Sequence, residues 1–195
     1  ILYFVVFTHQ NRRNKYGVFW FNYLNLNQKT MRKLRLQMQI SVDGFVAGPN
    51  GEEDWVIRGD DKHWQLINDL ADSSDTILIG RKMAEAFIPH FENFAEENPK
   101  FEFAQKMVNT PQVIFSKTLE SPFGKNTTLA SGDLAEEISR LKNQTGKDIL
   151  VYGGVNFVSS LLAGGHIDEM YLLVNPILIA KGMRIFDLLE NRQNL

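Results

Sequence analysis

The stretch Asp148–Leu162, DILVYGGVNFVSSLL, decides the fold of this chain. Ile149–Val151 is a short apolar run of the kind found in strands that are covered on both faces. After Gly153-Gly154, apolar residues recur at helical spacing. A glycine pair at the start of a helix leaves N–H groups unpaired at the positive end of the helix dipole, where a phosphate can bind. The stretch therefore predicts a strand, a turn and a helix, and the turn is either a phosphate site or a plain tight connection.

Strands and helices alternate along the rest of the chain. Polar and apolar residues alternate over Leu34–Ile40, which predicts a first strand. Helices are predicted between the strands, one of them after the capping pair Asp133 and Glu136, and Pro89 is expected to end the helix that begins at Gly80. Further buried strands are predicted at Thr76–Ile79, Val113–Phe115 and Met170–Val174. This order indicates an α/β protein with a largely parallel sheet.

Composition excludes several classes of protein. The chain has 195 residues and no cysteine, which predicts one domain without disulfides or a thiolate zinc site. The four histidines form no ligand-spaced pair, so we expect no metal. A net charge of −2 lacks the basic excess of nucleic-acid binding proteins. The apolar run at residues 1–7 is too short for a bilayer span, which needs about 20 residues. We expect a cytoplasmic protein with no nucleic-acid or membrane partner.

Residues 1–30 differ in character from the rest of the chain. They are rich in Phe, Tyr and Asn and show neither strand nor helix periodicity. Met31 has the character of a natural start. We therefore predict that residues 1–30 are a non-native or disordered extension and that residues 31–195 form the folded domain.

Three predicted strands end in polar or glycine-rich sequence. These ends are Gly80-Arg81-Lys82, Ser116-Lys117 and Gly153-Gly154. Ligands of open α/β sheets bind beyond the carboxyl ends of the strands, so the three ends would face one ligand. Each end alone also fits a solvated helix start or an ordinary strand exit. Together they favour a dinucleotide, with Arg81 and Lys117 as a cation pair for an additional phosphate. The G-x-G-x-x-G and Walker fingerprints are absent from the sequence.

Four motifs in this order resemble the dihydrofolate reductase superfamily. They are Ser41-Val42-Asp43-Gly44, Gly80-Arg81-Lys82-Met83, Tyr152-Gly153-Gly154 and Ile167–Leu172. The resemblance covers about residues 32–195 and is greatest to the branch related to the C-terminal reductase domain of the riboflavin-biosynthesis deaminase-reductase. It implies a three-layer α/β/α fold with a mostly parallel central sheet. It also implies an NADPH cofactor, a homodimer and a role related to riboflavin biosynthesis.

The resemblance also assigns the cofactor contacts. Val46 and Ala47 would contact the nicotinamide. The remaining contacts would be Gly80, Arg81, Lys82, Ser116, Lys117, Tyr152, Gly153, Gly154, Val155 and Asn156, with Ser116 and Lys117 near the 2′-phosphate. Dihydrofolate reductases join the glycine pair by a cis peptide bond, so we expect a cis bond between Gly153 and Gly154.

The proton donor is the open question of the predicted site. Dihydrofolate reductases place a carboxylate five residues after a loop tryptophan, and Asp60 lies five residues after Trp55. Asp60 is therefore a candidate acid and Trp55 a candidate substrate contact, although Asp60 is also the natural N-cap of the next helix. Asp43 is a second candidate, because it is either a functional loop residue or a turn residue.

Several departures from the family pattern qualify the functional expectation. Met83 and Leu173 stand where relatives have hydroxyl residues, and segment 85–108 has no basic cluster for a ribityl phosphate. The chain also stops where relatives continue into a final antiparallel strand pair. We expect an NADPH-dependent reductase of a small heterocycle of the aminopyrimidine or pterin type, similar to 5-amino-6-(5-phosphoribosylamino)uracil reductase. The alternatives are an NADPH-binding protein without turnover, such as a sensor or vestigial domain, and a plain phosphate-binding module.

Overall fold

The fold is a twisted seven-stranded sheet with helices on both faces. The computed structural model describes residues 3–8, 31–57 and 61–193. The strands are β1 (Tyr3–Thr8), β2 (Leu34–Ser41), β3 (Ser74–Gly80), β4 (Gln112–Phe115), β5 (Thr127–Ala130), β6 (Asp148–Gly153) and β7 (Glu169–Asn175). The helices are α1 (Asp61–Asp72), α2 (Arg81–Glu97), α3 (Glu102–Asn109), α4 (Leu134–Lys142) and α5 (Val155–Ala163).

The sheet has the strand order β1-β7-β2-β6-β3-β4-β5, and the strands from β2 to β7 run parallel. Buried residues of α1, α2 and α3 pack on one face together with Ile79 and Leu150. Those of α4 and α5 pack on the other face together with Leu36 and Val151. The predicted three-layer α/β/α architecture with a mostly parallel sheet is confirmed. Because parallel strands end at the same edge, this topology brings the carboxyl ends of β3, β4 and β6 together there.

Strand β1 lies within the segment that we expected to be an extension. Its backbone pairs antiparallel with β7, with Tyr3 opposite Val174 and Thr8 opposite Glu169. The rest of residues 1–30 lies outside the described part of the chain, and the boundary at Met31 stays a prediction. After β7, the described residues up to 193 contain no further strand, and this segment instead lies against the loop that follows β2.

Two helix boundaries illustrate how local and tertiary forces differ. Asp133 caps α4, since its Oδ1 accepts hydrogen bonds from Ala135 N at 2.9 Å and Glu136 N at 3.1 Å, as predicted. The prediction that Pro89 ends a helix is wrong, because α2 continues to Glu97. Pro89 removes one N–H from the helix. Aromatic packing across this point, with Phe87 and Phe91 ring centroids 4.3 Å apart, holds both turns in line.

Ion pairs fix the amino end of the sheet. Lys33 Nζ lies 2.7 Å from Glu169 Oε1, and Arg35 Nη2 lies 2.8 Å from Asp148 Oδ2. These pairs link β2 to its two neighbours, β7 and β6, and so help to set their register. No helix within the described ranges is long and apolar enough to cross a membrane.

Candidate active site

Two helix N-termini meet at the carboxyl edge of the sheet. Gly80 precedes α2 and Gly154 precedes α5, and neither N-cap offers a side-chain acceptor. A Cβ added to Gly154 would lie 3.2 Å from Gly80 Cα, and one added to Gly80 would lie 2.8 Å from the Cβ of Phe157. The two backbones therefore approach as closely as glycine allows. Two positive dipole ends with uncapped N–H groups lie side by side, which suits a pyrophosphate.

The glycine pair itself has backbone angles that favour glycine. The φ angle is +143° at Gly153 and +95° at Gly154, a region that other residues rarely adopt. The peptide bond between them is trans, since the described residues contain no cis peptide bond. The expectation of a cis bond is therefore wrong. Here the turn is made by two positive φ angles in succession, which only a glycine pair adopts without strain.

A cation cluster lies beside α2 at the exit of β4. Arg81 Nη1 donates to Thr118 Oγ1, and its Nε donates to Glu85 Oε1 at 2.7 Å. The Oγ of Ser116 accepts from the N–H groups of Thr118 and Leu119. Lys117 Nζ donates to the carbonyls of the two residues that follow β5, Ser131 and Gly132. Arg81 thus contacts Thr118, the residue after Lys117, and Lys82 is exposed at the same helix start. A phosphate site shared by Arg81 and Lys117 stays a prediction.

Asp43 anchors the loop after β2 rather than facing open space. Its carboxylate accepts from Ser41 Oγ at 2.7 Å and from Ala180 N at 2.8 Å, and also from Ile179 N. The Ser41 hydrogen bond, together with those from Ala180 and Ile179, lowers the pKa of Asp43 to about 2. A carboxylate that stays ionised at neutral pH is a poor proton donor. The hydrogen bonds of Asp43 therefore fit a role in positioning the loop better than a role as an acid. A catalytic role for Asp43 stays a prediction.

The same loop is joined to the C-terminal segment at Val46 and Ala47. Val46 N donates to Met183 O at 2.9 Å, and Met183 N donates to Ala47 O at 2.8 Å. Both residues are only 4% exposed. Farther along, Trp55 is half-buried and its Nε1 donates to Glu52 O at 3.0 Å. The ligand contacts of these three residues stay predictions, and Asp60 lies outside the described residues.

An aromatic wall lines the α1–α3 side of the same edge. Tyr152, at the end of β6, has its ring centroid 4.5 Å from that of Phe87 and 6.2 Å from that of Phe103. Burial raises the pKa of Tyr152, and the nearby charge of Glu53 adds to this effect. Glu53 is exposed as a residue, yet protein atoms crowd its carboxyl group and raise its pKa. Sequence analysis missed Glu53, which stands in an acidic loop with no distinguishing pattern.

A buried amide connects the sheet to the loop at this point. Asn175 is 0% exposed, and its Oδ1 accepts from Ile57 N at 2.9 Å. Its Nδ2 donates to Gln39 Oε1 at 2.9 Å. Asn175 therefore holds the loop against β2 and β7, a role that its position before Pro176 did not reveal. Within the described ranges, no group of three or more His, Cys, Asp or Glu side chains is placed to hold a metal ion.

Comparison with known proteins identifies relatives over nearly the whole chain. Residues 32–195 match the family described as the RibD C-terminal domain. Uncharacterized protein YyaP of Bacillus subtilis is 28% identical over 169 residues, which cover 87% of this chain and 88% of YyaP. Uncharacterized protein YwjB of the same organism is 24% identical over 164 residues, which cover 84% of this chain and 88% of YwjB.

Solved structures share the fold at low sequence identity. A putative riboflavin biosynthesis protein from Shewanella sp. PV-4 superposes with a TM-score of 0.59 at 23% identity, covering 82% of this chain and 86% of that one. The deaminase/5-amino-6-(5-phosphoribosylamino)uracil reductase of Thermotoga maritima superposes with a TM-score of 0.60 at 17% identity, covering 84% of this chain and 50% of that one. The riboflavin biosynthesis reductase Rib7 of Saccharomyces cerevisiae superposes with a TM-score of 0.57 at 14% identity, covering 87% of this chain and 84% of that one. These values establish a common fold.

Proposed function

This chain belongs to the RibD C-terminal domain family, and from that premise we propose that it is an NADPH-dependent reductase of a small heterocycle of the aminopyrimidine or pterin type. The close approach of Gly80 and Gly154 carries the proposal. Because it sets two uncapped helix N-termini side by side, it provides N–H donors and positive dipole ends for the two phosphates of a dinucleotide.

The residues around this point divide into two binding regions. The first turn of α5, including Val155 and Asn156, would hold the pyrophosphate together with the start of α2. Arg81, Ser116 and Lys117 would hold the 2′-phosphate, a choice supported by their proximity at the β4 exit. Lys117 would exchange its bonds to two backbone carbonyls for bonds to the phosphate. Because a phosphate is an anionic acceptor and the two carbonyls are neutral, this exchange favours NADPH over NADH.

The substrate would lie against the aromatic wall, next to the nicotinamide. NADPH supplies a hydride when it is bound, and the chain must supply a position and a proton. Glu53 is the described carboxyl group that best fits the proton donor. It lies close enough to Tyr152 to affect the ionisation of the phenol, and burial raises the pKa of its own carboxyl group. Asp60 remains the second candidate for this role.

Thermal shift with NADPH and NADH tests the cofactor assignment. At a hundredfold excess over Kd, NADPH is expected to stabilise the protein by about 2.7 kcal/mol, or roughly 5–11 °C in Tm. Lys117→Ala should weaken NADPH binding more than NADH binding. Lys125→Ala, at an exposed lysine paired with Glu96, is the matched control and should change neither. No shift with either nucleotide would refute the proposal, and equal losses in Lys117→Ala would remove Lys117 from the 2′-phosphate site.

A cofactor-binding protein without turnover is the second candidate. It is favoured by the fixed ionisation of Asp43 and by Leu173, which is fully buried where relatives have a hydroxyl. NADPH oxidation with a panel of pyrimidines and pterins, including 5-amino-6-(5-phosphoribosylamino)uracil, separates the two. Turnover of any member supports the reductase, and binding without turnover across the panel supports the binder. We further propose a cytoplasmic homodimer, and light scattering on the purified protein checks its mass.

A further inference from the structure

Gln37 is a buried amide without a hydrogen-bond partner in the described part of the chain. Its residue is only 7% exposed, and its side chain makes no hydrogen bond there. Its amide atoms are not fully enclosed, so they keep some contact with solvent. Burying an amide without a partner costs free energy, and native proteins rarely accept that cost without a functional reason.

The sheet places Gln37 inside the substrate region of the proposed reductase. Alternate residues of β2, among them Leu36, pack with α4 and α5, so Gln37 and Gln39 point to the face that holds α1–α3. Gln37 lies beside Tyr171 of β7 in register. On the other side, Leu36 pairs with Val151 of β6. Tyr152 is the next residue along β6, and it packs on the same α1–α3 face that Gln37 faces.

Gln39 extends this amide surface toward the loop. Its Oε1 accepts from Asn175, whose Oδ1 in turn fixes Ile57 of the loop. The Nε2 of Gln39 has no partner among residues 31–57 and 61–193. Two glutamine amides, one wholly and one half available, thus lie beside the Tyr152 ring and beneath the loop that follows β2.

We infer that Gln37 and Gln39 form the floor of the substrate site and recognise the lactam-type edge, an adjacent ring N–H and C=O, of an uncharged heteroaromatic ring. A side-chain amide offers a donor and an acceptor in one plane, which matches such an edge with two hydrogen bonds. It carries no charge, so it selects a neutral edge rather than an ionised one. The inference rests on the proposed function for its location and adds the residues that recognise the substrate ring.

Gln112 supplies a matched comparison within the same sheet. It is 3% exposed at the start of β4, at the opposite edge from the cofactor site, and its Nε2 donates to Met107 O at 2.8 Å. The Oε1 of Gln112 has no partner in the described part of the chain, but its Nε2 pairs the Met107 carbonyl. Gln112→Met leaves that carbonyl without its donor, a cost that exceeds the relief of removing Oε1, so Tm should fall. Gln37→Met deletes an amide that has no described partner, so Tm should stay level or rise. The same substitution therefore distinguishes a structural glutamine from one that serves a ligand.

Binding of two probes tests the inference, with calorimetry on the full chain saturated with NADPH. Quinazolinone carries a lactam edge, and quinazoline is the same ring system without the carbonyl. The wild type and Gln112→Met should prefer quinazolinone by about tenfold, the value of one to two net hydrogen bonds. Gln37→Met should lose this preference while its NADPH affinity and Tm stay at the wild-type level or above.

The outcomes separate this inference from the proposed function. A wild type that binds both probes equally, or neither, overturns the inference. So does a Gln37→Met variant that keeps the preference or that loses as much Tm as Gln112→Met. Failure of NADPH to shift the wild-type Tm refutes the proposed cofactor instead, and the probe preference is then measured without nucleotide.

Discussion

Replacing Gly154 with alanine perturbs the point where the two helix starts meet. Gly154 has φ of +95°, so an alanine there incurs backbone strain of about 1–2 kcal/mol. Its Cβ would also lie 3.2 Å from Gly80 Cα and 3.3 Å from Gly80 N. Both atoms belong to the backbone and cannot rotate away, so α2 and α5 must move apart by a few tenths of an ångström.

The functional loss should exceed the loss of stability. Strain of about 1–2 kcal/mol lowers Tm by roughly 2–8 °C in a chain of this size. If the pyrophosphate spans both helix starts, misalignment of even one charge-assisted hydrogen bond costs about 1.5–3 kcal/mol of binding. NADPH affinity should therefore fall by roughly tenfold to a hundredfold.

Gly165→Ala is the matched control for this measurement. Gly165 has φ of +66°, but a Cβ there meets no heavy atom within 4 Å, and it follows the far end of α5. It should lose Tm through strain alone and keep NADPH affinity, as titration calorimetry at a temperature where both variants are folded will show. Wild-type affinity in Gly154→Ala, or an equal loss in Gly165→Ala, would refute the shared pyrophosphate site.

Two further predictions concern ionisation. If Glu53 is the proton donor, turnover should fall as pH rises through the elevated pKa of Glu53, and Glu53→Gln should abolish that limb of the pH–rate profile. Glu52→Gln is the control, because a hydrogen bond from the Asn50 side chain lowers the pKa of Glu52. An unchanged profile in Glu53→Gln would exclude Glu53 as the donor. Burial, aided by the charge of Lys142, lowers the pKa of His166, so the unfolded state binds the proton more readily and stability should fall as pH drops below about 6.5. His166→Gln should flatten this dependence of Tm, and an unaltered slope would assign it to other groups.

The features that the sequence predicted correctly are those determined by residues close to one another in the chain. The glycine pair at Gly153-Gly154 predicts a turn because few other residues tolerate the positive φ angles that such a turn needs. The N-cap at Asp133 is likewise contained within four residues. The strand ends at Gly80 and Ser116 could be assigned to one edge because parallel strands share a direction.

The features that sequence missed depend on tertiary neighbours. Pro89 should end a helix by local rules, yet packing of Phe87 on Phe91 carries α2 past it. Strand β1 depends on a free edge of β7, which no periodicity in residues 1–30 indicates. Glu53 differs from its acidic neighbours only because the folded loop places its carboxyl group near Tyr152.

The charged side chains at the amino end of the sheet pair with one another, whereas two helix starts and one amide at the carboxyl end have no side-chain partner in the described part of the chain. At the amino end, Lys33 and Arg35 are matched by Glu169 and Asp148, so burial of charge there serves the register of the strands. At the carboxyl end, the helix starts after Gly80 and Gly154 have no side-chain cap, and the Gln37 amide has no described partner. Stability alone would favour side-chain caps at the two helix starts and an apolar residue in place of Gln37. The two helix starts and the Gln37 amide lie at the same edge of the sheet, and a ligand that pairs with all three accounts for their position.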